Sequence, residues 1–250
     1  PQAGGRTLDA AIHIDTGMNR LGLRVEEADD LAAAPERLAG LRIGLVMSHL
    51  ACAAEPEHPM NARQAASFAR VRRLFPSARA SLANSGGCFL GEPYRFDMVR
   101  PGVSLYGGGP FERTDPRLRQ VAGLHAPILQ LRDVHAGESV GYGATFTATG
   151  PRQLAIVAAG YADGVLRSFS PEGCAWYRGA RRPIAGRLSM DLMAFDITGC
   201  EGAQVGEMVE LLGEHIPVNE AAAASGTAAY ECLVRLSVRA RRTFVGKAVG

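Results

Sequence analysis

The sequence predicts two folds in succession: the C-terminal half of a TIM-type (β/α)8 barrel, an α/β arrangement, over residues 1–118, then a mostly β domain over residues 119–250. Three observations predict this. Up to about residue 107, short β-rich runs alternate with helical stretches, as parallel βα units require. Beyond Pro116, short strands punctuated by glycine turns take over. Between about residues 112 and 123, charged residues and Pro116 interrupt both patterns, which places the boundary there.

In the first part, strands are expected over Ala11–Asp15, Leu41–Ser48, Arg79–Ala83 and Met98–Leu105. Val25, Ala28, Leu31 and Leu38 recur on a rough helical period, as do Ala65, Phe68, Val71 and Leu74, and Pro59 with Asn61 suits the start of the second helix. Such units make half of an eightfold barrel, with a small doubly wound sheet as the lesser alternative. In the second part, strands are expected at Pro127–Leu131, Leu154–Ala159, Pro183–Leu188, Met193–Asp196, Met208–Leu212 and Val234–Ala240, with a helix at Asn219–Ser225.

Composition narrows the function classes. With 47% apolar and 21% charged residues the chain has the balance of a globular protein, and a net charge of +2 selects no acidic partner, so no nucleic-acid role is expected. Cys52, Cys88, Cys174, Cys200 and Cys232 are scattered without a CxxC pair, which suggests neither a zinc cage nor a disulfide framework; no metal site and a reducing cytoplasm are expected. No apolar run approaches the roughly 20 residues of a membrane span, so no membrane partner is expected. The chain opens Pro1-Gln2-Ala3-Gly4-Gly5 without an initiator methionine, which suits an internal start, and its basic residues are arginines except for Lys247.

In a βα barrel, chemistry gathers in the loops after the strands. These loops hold Asp15-Thr16-Gly17-Met18-Asn19-Arg20-Leu21-Gly22, then Ser48-His49, Asn84-Ser85-Gly86-Gly87 and Arg100-Pro101-Gly102-Val103. Singly each has a plain alternative: Arg20 suits a surface ion pair, His49 a core histidine, Ser85-Gly86-Gly87 a turn, Arg100 a structural ion pair. Together they resemble a phosphate site, with the Ser85 hydroxyl and the Gly102 and Val103 amides as donors and glycine permitting close approach. From the β domain come Gly160-Tyr161-Ala162-Asp163-Gly164 and Ser189-Met190-Asp191, each directly after an apolar run.

The run DTGMNRLG at Asp15–Gly22, Asn84-Ser85, Arg100-Pro101-Gly102 with Tyr106-Gly107, Tyr142-Gly143, GYADG at Gly160–Gly164 and Ser189-Met190-Asp191 resemble, in order and along nearly the whole chain, the bacterial alanine racemases. The resemblance implies a pyridoxal 5'-phosphate enzyme that interconverts L- and D-alanine with two bases, for cell-wall precursor supply or alanine catabolism. It also implies a homodimer whose subunits share each active site. Tyr161 is then the base for the L-enantiomer, reaching the partner's barrel. His49 lies against the cofactor ring, Arg100 faces the pyridine nitrogen, and Ser85, Gly102 and Val103 hold the phosphate. Arg20 and Met190 border the substrate, with Asp191 and Tyr142 in support.

There are departures from the family pattern. The lysine that binds the cofactor and acts as second base has no counterpart here, since Lys247 matches nothing; these residues alone are therefore expected to be inactive. His13 stands where some relatives have a lysine supporting Arg20, and Val238 where some have a phosphate-contacting tyrosine. Alternatives are a broader amino-acid racemase or a basic amino-acid decarboxylase on the same plan, or a non-catalytic fragment.

Overall fold

The computed structural model describes residues 7–246 and divides the chain into two compact units, residues 1–105 and 106–250. Lys247 lies outside the described residues.

The first unit opens with β1 (Leu8–His13), followed by α1 (Val25–Ala33), β2 (Leu41–Met47), α2 (Pro59–Val71) and β3 (Arg79–Ser81). The strands pair in parallel in the order β1-β2-β3. The helices form where the apolar period places them. In α1, Glu26 and Glu27 occupy the first turn, where carboxylates complement the helix dipole, and Glu27 accepts from the Arg24 amide at 2.7 Å. In α2, Pro59 is the first residue, a position whose amide needs no partner, and His58 Nδ1 accepts from the Met60 amide at 3.1 Å. Each helix turns one face inward: Ala28 and Leu31 from α1, Phe68 and Val71 from α2, against Ile12, Ile14, Val46 and Leu82. Phe68 is fully buried with its ring edge-on to Phe96 at 5.0 Å; that burial stabilises by about 2–3 kcal/mol.

The first three expected strands are present, ending a few residues early. The fourth is not. Residues 97–100 instead run beside β3 irregularly: the Asp97 and Met98 amides both donate to Ala80 O, and the Arg100 amide donates to Ala83 O. Two amides on one carbonyl break a regular ladder, and Pro101 has none to offer. Beyond it, Val103–Tyr106 forms a 3-10 turn. Short helices α3 (Ser85–Phe89) and α4 (Glu92–Arg95) fill the connection from β3.

The second unit is a six-stranded antiparallel sheet. Its strands are β4 (Leu124–Val134), β7 (Arg152–Val157), β8 (Cys174–Tyr177), β9 (Ala180–Pro183), β10 (Met193–Asp196) and β11 (Met208–Leu212), in the order β10-β7-β4-β11-β8-β9. A two-stranded ribbon, β5 (Ser139–Val140) and β6 (Phe146–Thr147), and helices α5 (Val218–Ala224) and α6 (Ala229–Arg235) complete it. Ile128, Leu154, Val157, Met193, Phe195, Val209 and Ile216 are buried in its core.

Two expected strands are corrected here. Pro183–Leu188 begins where β9 ends; Ile184 makes only an isolated bridge to Phe195, and Gly186 at φ +78° turns the chain away. Val234–Ala240 shows alternating Val234, Leu236 and Val238, yet Val234 and Val238 are exposed, and the segment is the end of α6 followed by a loop. The β8–β9 hairpin, unanticipated, turns at Arg178-Gly179, both at positive φ. The helix expected at Asn219–Ser225 is α5.

Candidate active site

Asp15 shapes the loop after β1. Its Oδ1 accepts from the Gly17 amide at 2.8 Å and the Met18 amide at 2.9 Å. Burial opposes the charge, but the amides of Gly17, Asn19, Met18 and Arg20 outweigh it and hold the carboxyl below its usual range. Gly17 (φ +131°) and Asn19 (φ +56°) supply the left-handed turns that swing Arg20 outward, and Arg20 is exposed.

The loops after β2 and β3 converge on Arg100, a half-buried guanidinium. It donates from Nη1 to Ser81 O and Oγ and from Nη2 to Ser48 O, so the carbonyls at two strand ends fix its plane. His49, partly buried, lies close by, with Nε2 3.3 Å from Asn84 Nδ2. Burial pushes the His49 imidazole below its ordinary pKa, and the cations Arg100 and Arg20 push the same way. His13 is lowered too, by burial first and then by Arg100. Both rings are therefore neutral at physiological pH.

Ser85 is buried, and its Oγ accepts from the Gly102 amide at 2.8 Å and the Ser104 amide at 3.4 Å. Ser85 and Gly102, paired on sequence grounds as phosphate donors, thus touch each other directly. The neighbouring glycines answer to packing: a Cβ on Gly86 would lie 2.6 Å from Ala53 O, and one on Gly87 2.8 Å from Leu50 Cδ1. Asn84 caps α3, its Oδ1 accepting from the Gly87 amide at 3.0 Å.

One participant in this cluster was overlooked in the sequence. Gln64 of α2 is fully buried; its Oε1 accepts from the Ala51 amide at 2.8 Å, and its Nε2 donates to His49 O at 2.9 Å and to Thr16 Oγ1 at 3.2 Å. It ties the loops of β1 and β2 together. A signal existed: Asn61 and Gln64 interrupt the apolar face that Phe68 and Val71 continue.

In the second unit, Tyr161 begins a 3-10 turn, Tyr161–Asp163, four residues past the end of β7, and it is exposed rather than packed into its own unit. The Tyr161 amide donates to Ser189 O at 3.1 Å and the Ala162 amide to Met190 O at 3.0 Å. Tyr161, Met190 and Asp191 are therefore brought together, with Met190 exposed beside the turn. The two glycines of GYADG have separate reasons. A Cβ on Gly160 would lie 2.3 Å from Met190 O, and one on Gly164, at φ +102°, would lie 2.2 Å from Arg235 O. Tyr142 is exposed on the wall of an open cleft of about 940 Å³ that Arg187, Ser189, Leu192 and Met193 also line.

The first unit thus offers a fixed guanidinium, neutral imidazoles, a buried hydroxyl and loop amides. That donor set fits a flat heteroaromatic ring bearing a phosphate: hydroxyl and loop amides for the anion, a guanidinium N–H and an uncharged ring for the heterocycle.

Comparison with known proteins agrees with this chemistry. The family description "Alanine racemase, N-terminal domain" matches residues 1–110, and "Alanine racemase, C-terminal domain" matches residues 121–244. A catabolic alanine racemase of Agrobacterium fabrum is 46% identical over 96% of this chain and 63% of its own length. Among solved structures, the alanine racemase of Bartonella henselae with covalently bound pyridoxal phosphate superposes at a TM-score of 0.87. It is 38% identical, over 95% of this chain and 66% of that one. The biosynthetic alanine racemase of Pseudomonas aeruginosa gives 0.91, with 36% identity over 96% and 68%. The chain spans a little under two thirds of the Agrobacterium protein's length.

Proposed function

This chain belongs to the alanine racemase family, and we propose that the protein carrying it interconverts L- and D-alanine, as an isomerase using pyridoxal 5'-phosphate. The barrel portion is assigned to residues 1–118, as the C-terminal half of a TIM-type barrel, and the β domain to residues 119–250. The observation that carries the reading is the exposed phenol of Tyr161, held by backbone bonds to the Ser189–Met190 loop, in a chain whose other unit gathers His49, Ser85 and Arg100.

When bound, pyridoxal phosphate supplies the electron sink that stabilises negative charge at the α-carbon. Ser85, Gly102 and Val103 would hold its phosphate, His49 would lie against its ring, and Arg100 would face the ring nitrogen. A guanidinium does not give up its proton, so Arg100 would serve that nitrogen as a donor only. Tyr161 takes the α-proton from one face of L-alanine at its phenolic oxygen and returns a proton to that face in the reverse direction. Arg20 and Met190 border the substrate, with Asp191 and Tyr142 supporting them. The assembly is a cytoplasmic homodimer in which Tyr161 of one subunit serves the site of the other. The second base is a lysine that these residues do not match to any position, so a polypeptide of residues 1–250 alone is inactive.

Tyr161→Phe tests the reading. Removal of the proton-transferring oxygen should lower alanine interconversion by about 10²–10⁴-fold in the cofactor-loaded enzyme, the usual contribution of a positioned acid–base group. Retention of more than a tenth of the rate, measured with each enantiomer, would sink the assignment; parallel assays with L-lysine and L-arginine separate alanine racemisation from broader racemisation and from decarboxylation.

A further inference from the structure

Tyr161 sits on a turn of three residues, too short to fix its own position. Two segments hold it. The Ser189–Met190 backbone accepts from the Tyr161 and Ala162 amides on one side, and on the other Ser237 N donates to Asp163 O at 3.1 Å. Asp163 closes the turn, its Oδ2 accepting from the Gly160 amide at 3.0 Å. A single side chain spans all three segments. Arg239, two residues past Ser237, reaches Asp191 Oδ1 with Nη1 at 2.7 Å and Asp163 Oδ1 with Nε at 3.5 Å. The Asp163 carboxylate is largely buried, so this contact is screened less than an ordinary surface pair. The fork of a guanidinium suits two carboxylates held at fixed separation, where an ammonium would satisfy one at a time.

We propose that Arg239 is a positioning residue for proton transfer: by joining Asp163 of the tyrosine turn to Asp191 of the Met190 loop, it sets where the Tyr161 oxygen stands relative to the substrate α-carbon. The proposal rests on the reading of Tyr161 as a base. Arg239 touches no reacting atom in this scheme and acts through the two loops it joins.

The test uses the cofactor-loaded enzyme in D2O with D-alanine as substrate. The base on the opposite face removes the α-proton and can return a deuteron to that same face, giving deuterated D-alanine. Conversion to L-alanine needs Tyr161 to deliver a proton or deuteron from its own side. Arg239→Ala should lower conversion by about tenfold to a hundredfold, the cost of a displacement near 1 Å, while exchange into unconverted D-alanine persists. The ratio of exchange to conversion therefore rises at least fivefold, and Arg239→Lys restores part of it. A ratio within twofold of the parent's, or equal losses of exchange and conversion, would overturn the proposal, since loosening of the whole fold depresses both alike. Tyr161→Phe in the same assay separates the two ideas. If it raises the ratio and Arg239→Ala does not, the clamp alone fails; if neither raises it, the base assignment fails as well. Should Arg239→Ala give no folded protein, Arg239→Gln, which keeps the stem and one donor, carries the same measurement.

Discussion

Gly160→Ala separates packing from backbone freedom at the tyrosine turn. Gly160 has φ −159° and ψ −160°, an extended conformation open to any residue, so a methyl group there meets only a steric objection. That objection is severe. The added Cβ would lie 2.3 Å from Met190 O and 2.4 Å from Ser189 O, so the two segments must part by about 0.7 Å to reach even the 3.0 Å limit for such contacts. The same two carbonyls accept from the Ala162 and Tyr161 amides, at 3.0 and 3.1 Å, and both bonds stretch when the segments separate. Overpacking of this kind costs about 1–3 kcal/mol, and weakening two backbone bonds adds about 1 kcal/mol, so a loss near 2–4 kcal/mol is expected. Displacing the phenol by a similar distance should also lower alanine turnover by up to about a hundredfold. Urea unfolding with an unchanged m-value reads the first quantity and a coupled alanine assay the second. A midpoint equivalent to less than about 0.5 kcal/mol of change, with turnover within twofold, would refute the claim that this glycine seats the turn.

Two further predictions concern stability. Glu207 is held down to about 2 by hydrogen bonds from Arg178 and Tyr177; its ordinary value is 4.5, so its contribution is complete above that pH and is lost as pH falls toward about 2. The stability gap between the parent and Glu207→Gln should accordingly close across that window in acid titrations, and a gap independent of pH would contradict the pairing. Gln64→Leu should destabilise by about 2–3 kcal/mol, because the Ala51 amide and His49 carbonyl lose their buried partner; undiminished hydrogen-exchange protection at Ala51 would show that Gln64 does not hold that loop.

The βα alternation and the later glycine-punctuated strands were legible because each depends on local periodicity: Phe68 and Val71 keep the period of α2, and Met193–Asp196 and Met208–Leu212 are strands as read. Where two local signals conflicted, tertiary contacts decided. Met98–Leu105 has the composition of a strand but is bonded irregularly along β3 and interrupted by Pro101. Val234–Ala240 alternates like a strand, yet both valines are exposed, Val234 at the end of α6 and Val238 in the loop beyond it.

The chemical inventory of this protein is a property of its sequence: which residues follow each strand, which motifs they form, and that a tyrosine lies between two glycines. What those residues do to one another is decided by the fold. Gly86 and Gly87 are glycines because Ala53 and Leu50 crowd them, and Gly160 and Gly164 because two different backbones press on either side of Tyr161. Gln64 and Arg239 are inconspicuous letters whose partners lie far along the chain, at Thr16 and at Asp163 and Asp191. Periodicity encodes which face of an element is buried, whereas a contact between distant segments exists only once the chain has closed upon itself.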